Sequence, residues 1–233
     1  MSDQLSLALS LRDEATFANF YAAPGSVRAQ ATAALVASVD TREPLVYLWG
    51  GCGTGISHVL QATCHHYLQA GLTVQYLPLE DVAGFDPDSL LAGLELQSLV
   101  CLEGLEHIVG NKPWERGLFG LFNKLRDRGN SLVVSAAKPP RELGLELADL
   151  QSRLSCGLTC HFAPYSDGDK LAIIRFRGGR LGIELSEEVA AFILSRGDRN
   201  MDNLITSLRR LDSAALKAQR RVTIPFVKEV FGW

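Results

Sequence analysis

The chain has 233 residues, 47% hydrophobic and 21% charged, with a formal net charge of −3 and a mean hydropathy of +0.08. That length buries a sizeable core in one domain or two modest ones, and the charge balance excludes a global basic field for holding nucleic acid. No apolar run reaches the roughly 18 residues of a membrane span, no basic-then-apolar leader opens the chain, and an odd number of scattered cysteines is no disulfide framework. The cytoplasm is therefore the expected compartment, with no membrane partner.

In chain order, "MSDQLSLALSLRDEATF" shows short apolar alternation outside any evident folded unit. "PLVYLW" follows as a near-continuous apolar run closed by Gly50 and Gly51, which suits a parallel strand buried on both faces. Helical spacing then appears in Val59, Leu60, Cys64, Tyr67 and Leu68, with Gly71 as the terminator. "TVQYLPL" predicts a second strand and "SLVCLEGL" a third, apolar until Glu103. A helix around Trp114 to Arg128 leads through Gly129 and Asn130 into a fourth strand, "SLVVSAA", and "GLTCHFAPY" predicts a fifth. Strands alternating with helices predict a parallel α/β sheet.

After Pro164 only helical periodicity remains. Ser186 with Glu187 and Glu188 is a helix start. Met201, Leu204, Ile205, Leu208 and Leu211 make an apolar stripe, and Pro225 suits the first turn of a last helix. From Ser166 onward the net charge is about +3, leaving about −6 for the rest. The expected organisation is a flexible tail over 1–14, an α/β domain over 15–164 and a small helical domain over 165–233.

The stretch Gly50, Gly51, Cys52, Gly53, Thr54, Gly55, Ile56, Ser57 fits the phosphate-loop pattern G-x-x-x-x-G-K-[ST] at every position but one, because Ile56 stands where the lysine belongs. The pattern works because glycines let successive backbone N–H groups turn toward phosphate oxygens while the following helix points its N-terminus at the anion. Ser57 stands where a magnesium-binding hydroxyl belongs. Glu103, an acid at the end of an apolar strand, stands where a second acidic motif holds magnesium or orients water. Taken singly, the glycines also suit a plain strand-to-helix turn, and Glu103 a surface carboxylate.

A hydrogen bond to a charged group contributes about 1.5–3 kcal/mol, so losing the lysine weakens binding by about one to two decades. The backbone cradle survives that loss, and a diphosphate still has its donors. Hydrolysis suffers more, because the lysine offsets charge that develops during phosphoryl transfer. Cys156, Cys160 and His161 lie in "SCGLTCHF", a predicted strand whose alternation sends them to different faces, so a metal site there is not expected.

These residues resemble the AAA+ family, and within it the DnaA-related regulators, over nearly the whole chain. "QLSLAL", Gln4 to Leu9, looks like the short motif by which replication proteins dock on the β sliding clamp: the Gln4 amide anchors while Leu5, Leu7 and Leu9 fill apolar pockets. "ATFANFY" is similar to the segment that lines the base and sugar of the nucleotide. That likeness puts Phe17, Phe20 and Tyr21 near the pocket, although each also suits an ordinary core aromatic.

In "WGGCGTGISHVL" the family's histidine and leucine follow the hydroxyl residue, as His58 and Leu60. The resemblance implies that the stretch Gly51, Cys52, Gly53, Thr54, Gly55, Ile56, Ser57 and His58 holds an ADP-like nucleoside diphosphate of undetermined base, with Mg on Ser57 and Glu103. "LADLQSRLSCGL" is similar to the segment carrying an arginine finger, which falls on Arg153; such a group supplied in trans raises hydrolysis by roughly 10³–10⁵-fold.

Two departures accompany Ile56. Ala137 occupies a polar sensor position, with Lys138 keeping the basic residue after it, and Asp202 stands where a sensor arginine usually faces the phosphates. No basic recognition helix follows "TIPFVKEV", so direct sequence-specific DNA binding is not expected. The resemblance thus implies a regulator that docks on the DNA-loaded clamp, forms a homodimer and presents Arg153 to the ATP of DnaA, inactivating it for initiation. Its competitor is a self-sufficient ATPase of the clamp-loader or helicase-loader type, favoured by Ser57 and Glu103 and opposed by Ile56, Ala137 and Asp202.

Overall fold

The computed structural model describes residues 11–41 and 45–233. They fall into two compact units, one holding residues through Phe20 and Pro24–Phe162, the other Tyr21–Ala23 and Ala163–Trp233.

In the first unit, β1 (Leu45–Trp49), β2 (Val74–Pro78), β3 (Leu99–Glu103), β4 (Ser131–Ala136) and β5 (Leu158–His161) form one parallel sheet in the order β2-β3-β4-β1-β5. Side chains alternate between faces along a strand. The register aligns Cys101 with Val133, Val133 with Val46 and Leu48 with Cys160, so all of these share one face. On it pack α1 (Val27–Thr41) and α2 (Ile56–Gln69), through Ala31, Leu35, Val59, Leu60, Cys64 and Tyr67. Tyr47, Val100, Leu102, Leu132 and Val134 line the opposite face. That face is covered by α3 (Leu79–Val82), α4 (Pro87–Leu91), α5 (Lys112–Asp127) and α6 (Ala148–Leu154). Burial on both faces is why β1, β3 and β4 read as near-continuous apolar runs.

Two expectations are corrected. Leu68 is 47% exposed, outside the buried stripe of α2. The predicted pattern contained no element over 27–41, yet α1 forms there; its buried residues are Ala31, Leu35 and Ser38, too small and mixed to give an apolar signal. At the end of the segment expected as a tail, Leu11 packs on the α2 core cluster, the Arg12 N–H donates to Gln61 Oε1 at 3.0 Å, and a His65 ring nitrogen bonds the Arg12 carbonyl at 3.1 Å.

The second unit is helical: α7 (Asp167–Arg180), α8 (Glu187–Arg196), α9 (Met201–Ala218) and α10 (Ile224–Phe231). Ser166, Ser186, Asn200 and Thr223 cap these four helices with side-chain oxygens, and Ser166 with Asp169 forms a reciprocal capping box. The stripe Leu204, Leu208 and Leu211 is buried with Ile174, Ile193 and Phe226. Among the described residues no helix is long and apolar enough to cross a membrane.

Candidate functional site

The loop of Gly50 to Gly55 leaves the carboxyl end of β1. The helix after β1, α2, lies on one face of the sheet; the helix after the neighbouring β4, α6, lies on the other. Chains departing to opposite faces open a crevice at the strand ends, the usual ligand position in such sheets.

The loop is pinned at its base. Gly50 N–H donates to the Ala136 carbonyl at 3.1 Å, and Phe162 N–H donates to the Trp49 carbonyl at 2.8 Å. A Cβ at Gly50 would lie 2.4 Å from the Phe162 carbonyl oxygen. Gly50→Ala should therefore displace the loop or β5 and lower stability by about 1–3 kcal/mol in urea denaturation; an unchanged midpoint would show that the close approach is not needed. Farther along, the Thr54 hydroxyl donates to the Gly51 carbonyl at 2.8 Å and Thr54 is buried. Gly55, at φ 90°, turns the chain into α2 in a conformation that L side chains rarely adopt.

Among the described residues, the backbone amides of Gly51 to Ser57 have no hydrogen-bond acceptor in the protein, and the space around Gly51 and Gly53 is open. Unpaired amides converging at the N-terminus of a long helix can hold an anion. Ile56 contributes to this only through its backbone. Its side chain is buried in the core cluster with Val46, Val59 and Leu60. Cys52 is exposed in the same loop.

The segment before α1 is partly assembled at this site. A ring nitrogen of His58 bonds the Thr16 carbonyl at 2.8 Å, and Phe20 packs on the His58 ring at 5.5 Å and the Phe162 ring at 6.5 Å between centroids. Phe17 meets His66 edge-on. Phe17 and Phe20 are thus packing residues on the α2 core cluster. Tyr21 belongs to the helical unit, where it packs on Phe176 at 5.6 Å.

Sequence reasoning missed Arg28. From α1 its Nε donates to the Thr54 carbonyl at 3.4 Å, and its guanidinium lies 5.3 Å from the Phe162 ring centroid. A cation thus stands beside a loop that lacks its lysine. Nothing in "SVRAQ" marks it, because only packing of α1 on the sheet brings it there.

Ser57 and Glu103 are brought together. The Ser57 hydroxyl donates to Glu103 Oε1, and the Tyr76 phenol donates to Glu103 Oε2. Gln61 Nε2 donates to the Tyr76 oxygen at 3.3 Å. Burial, followed by the hydrogen bond to Glu103, holds the Tyr76 phenol protonated far above its ordinary range. At any ordinary pH Tyr76 is therefore a donor.

Arg153 lies in the last turn of α6 between buried Leu150 and Leu154, is itself half-buried, and its side chain has no hydrogen bond or ion pair among the described residues. The start of that helix is anchored by Glu115 of α5, which is 1% exposed. Its carboxylate accepts from the N–H of Gly110 at 2.9 Å, Glu146 at 3.3 Å and Leu147 at 2.7 Å, and Leu147 is the N-cap of α6.

Ala137 and Lys138 are exposed just after β4. Ala137 N–H donates to Glu106 Oε2 at 3.0 Å, and the Lys138 carbonyl accepts from the Tyr47 hydroxyl at 2.7 Å. Asp202 is exposed in the first turn of α9, within the helical unit. Cys160 is buried, His161 stacks on Trp49 at 3.7 Å, and Cys156 is exposed in the preceding turn. Gln4, Leu5, Leu7 and Leu9 lie outside the described residues.

A five-stranded parallel sheet of this order, an open amide loop ahead of α2, an acid at the tip of β3 and a following helical unit make a P-loop fold of the AAA+ type. Residues 167–231 match the family described as "Hda, lid domain". The structure is similar to domain III of the replication initiation protein DnaA from Thermotoga maritima, with a TM-score of 0.75 and 23% identity over 96% of this chain and 98% of that one. It is also similar to AMPPCP-bound DnaA from Aquifex aeolicus, with a TM-score of 0.73 and 20% identity over 89% of this chain and 68% of that one. The RuvB Holliday junction branch migration motor of Thermotoga maritima follows at a TM-score of 0.64 and 19% identity, over 88% and 67% of the two chains. Residues 167–231 thus carry a lid domain of the Hda family, in a chain whose fold is that of domain III of DnaA.

Proposed function

We propose that this chain is a regulator of replication initiation that stimulates hydrolysis of DnaA-bound ATP in trans through Arg153 while holding a nucleoside diphosphate of its own. One observation carries the reading: the last turn of α6 presents a guanidinium with no partner among the described residues, in a chain whose own loop has a core-buried Ile56 in place of the lysine. The unpaired amides of Gly51 to Ser57 fit the phosphates of a nucleotide. Ser57 and Glu103 are the residues that would hold a magnesium ion here, although both Glu103 oxygens already accept hydrogen bonds, from Ser57 and Tyr76. Such an ion supplies charge neutralisation when bound.

In this reading residues 1–14 carry the clamp motif, 15–164 the nucleotide domain and 165–233 the lid, and the active species is a homodimer on the DNA-loaded β clamp. The protein makes no sequence-specific DNA contact, and it acts in the cytoplasm. The test is a reconstituted assay of DnaA-bound ATP hydrolysis with DNA-loaded clamp. Adding the protein should accelerate hydrolysis; no acceleration under any clamp condition would overturn the reading. Changing Gln4 and Leu5 to Ala should abolish clamp binding in a pull-down and leave the thermal midpoint within about 1 °C, because exposed-surface changes cost little.

The contact between Ser57 and Glu103 favours a second reading, a self-sufficient ATPase of the loader type. Magnesium-dependent turnover by the protein alone at about 1 s⁻¹ or more would establish it.

A further inference from the structure

We infer that Tyr76 is a positioning residue that locks Glu103 onto Ser57 and away from metal, making nucleotide binding at this site largely independent of divalent cations. The inference rests on the nucleotide reading of the loop and goes beyond it. Sheet geometry sets the contact. Tyr76 aligns with Cys101, and Pro78 aligns with Glu103, so Tyr76 and Glu103 share the face on which α2 packs, on the diagonal between adjacent strands. An aromatic ring spans that diagonal, and its hydroxyl reaches Glu103 Oε2.

The opposite oxygen, Oε1, accepts from Ser57. Both carboxylate oxygens therefore hold a hydrogen bond from the protein itself, one of them from the residue whose oxygen would ligate the ion. Gln61, buried on α2, holds the phenol from behind, and Gln61 is in turn held through its Oε1 by the Arg12 N–H. The lock is thus braced on two sides. A metal ion has to compete with a donor that the fold already supplies, and charge-assisted hydrogen bonds of this kind are among the stronger ones.

Tyr76→Phe removes the hydroxyl and keeps the ring, so packing on the α2 cluster is preserved. The experiment titrates ADP calorimetrically into the full chain and the variant, each in Mg²⁺ and in EDTA. It also measures Mn²⁺ binding by electron paramagnetic resonance with and without saturating ADP. In the parent, Mg²⁺ should change ADP affinity by less than about twofold; in Tyr76→Phe it should tighten ADP by about tenfold, the size of one charge-assisted hydrogen bond. By reciprocity ADP should then tighten Mn²⁺ binding in the variant by the same factor. Equal metal dependence in the two proteins, whatever its size, would remove Tyr76 from this role while leaving the nucleotide reading intact. Absence of ADP binding by the parent in either buffer would bring down both.

Discussion

Replacing Arg153 by alanine should lower stimulated hydrolysis of DnaA-bound ATP by about 10³-fold or more, the scale on which a guanidinium supplied in trans acts on phosphoryl transfer. The side chain is half-buried at the end of a short helix and has no partner among the described residues, so its removal breaks no fold contact of consequence. The thermal midpoint and the ADP affinity of the variant should therefore match the parent. Arg153→Lys should recover little, because an ammonium on a flexible stem lacks the planar fork that clamps a phosphoryl group. The measurements are single-turnover hydrolysis on loaded DnaA, calorimetry and thermal denaturation on the same preparations. Full stimulation by Arg153→Ala would remove the residue from the mechanism, and a lost midpoint would reassign it to the fold.

The second large effect is expected at Glu115. Its buried carboxylate accepts three backbone N–H groups that close the segment before α6. Glu115→Gln keeps the shape but turns one acceptor oxygen into an NH₂ facing amides that need an acceptor. The loss should be about 2–4 kcal/mol, seen as a fall of roughly 5–15 °C in midpoint. The effect should also be local. Hydrogen exchange should quicken over 144–154, which carries Arg153, before it quickens over α2, whose amides do not depend on this anchor. Stimulation of DnaA should then fall with the ordering of α6, while ADP binding at Gly51 to Ser57 persists. A variant as stable as the parent, with unchanged exchange over 144–154, would show that the three bonds do not hold the helix.

Much of the first unit is legible in the sequence. Strands β1, β3 and β4 are runs buried on both faces, and a glycine-rich turn between the first of them and an amphipathic helix leaves few alternatives for the backbone. The caps at Ser186 and the proline at the start of α10 act within one turn of themselves, and so they too are read locally. Helix α1 escaped because its buried residues are small. The family likeness grouped Tyr21 with Phe17 and Phe20, and the chain passes into the second compact unit at that residue.

What the amino-acid order determined by itself was periodicity, turn chemistry and the missing lysine, all properties of neighbours in the chain. Only the tertiary structure decided which side chain each polar group meets. Ile56 is drawn into the core and leaves an open ring of amides. Arg28 arrives beside the loop from a different helix, Tyr76 reaches Glu103 across two strands, and Glu115 holds the start of the helix that carries Arg153. The physical reason is that strand register and helix packing bring together groups 26, 27 and 32 residues apart. A local pattern carries no information about such separations.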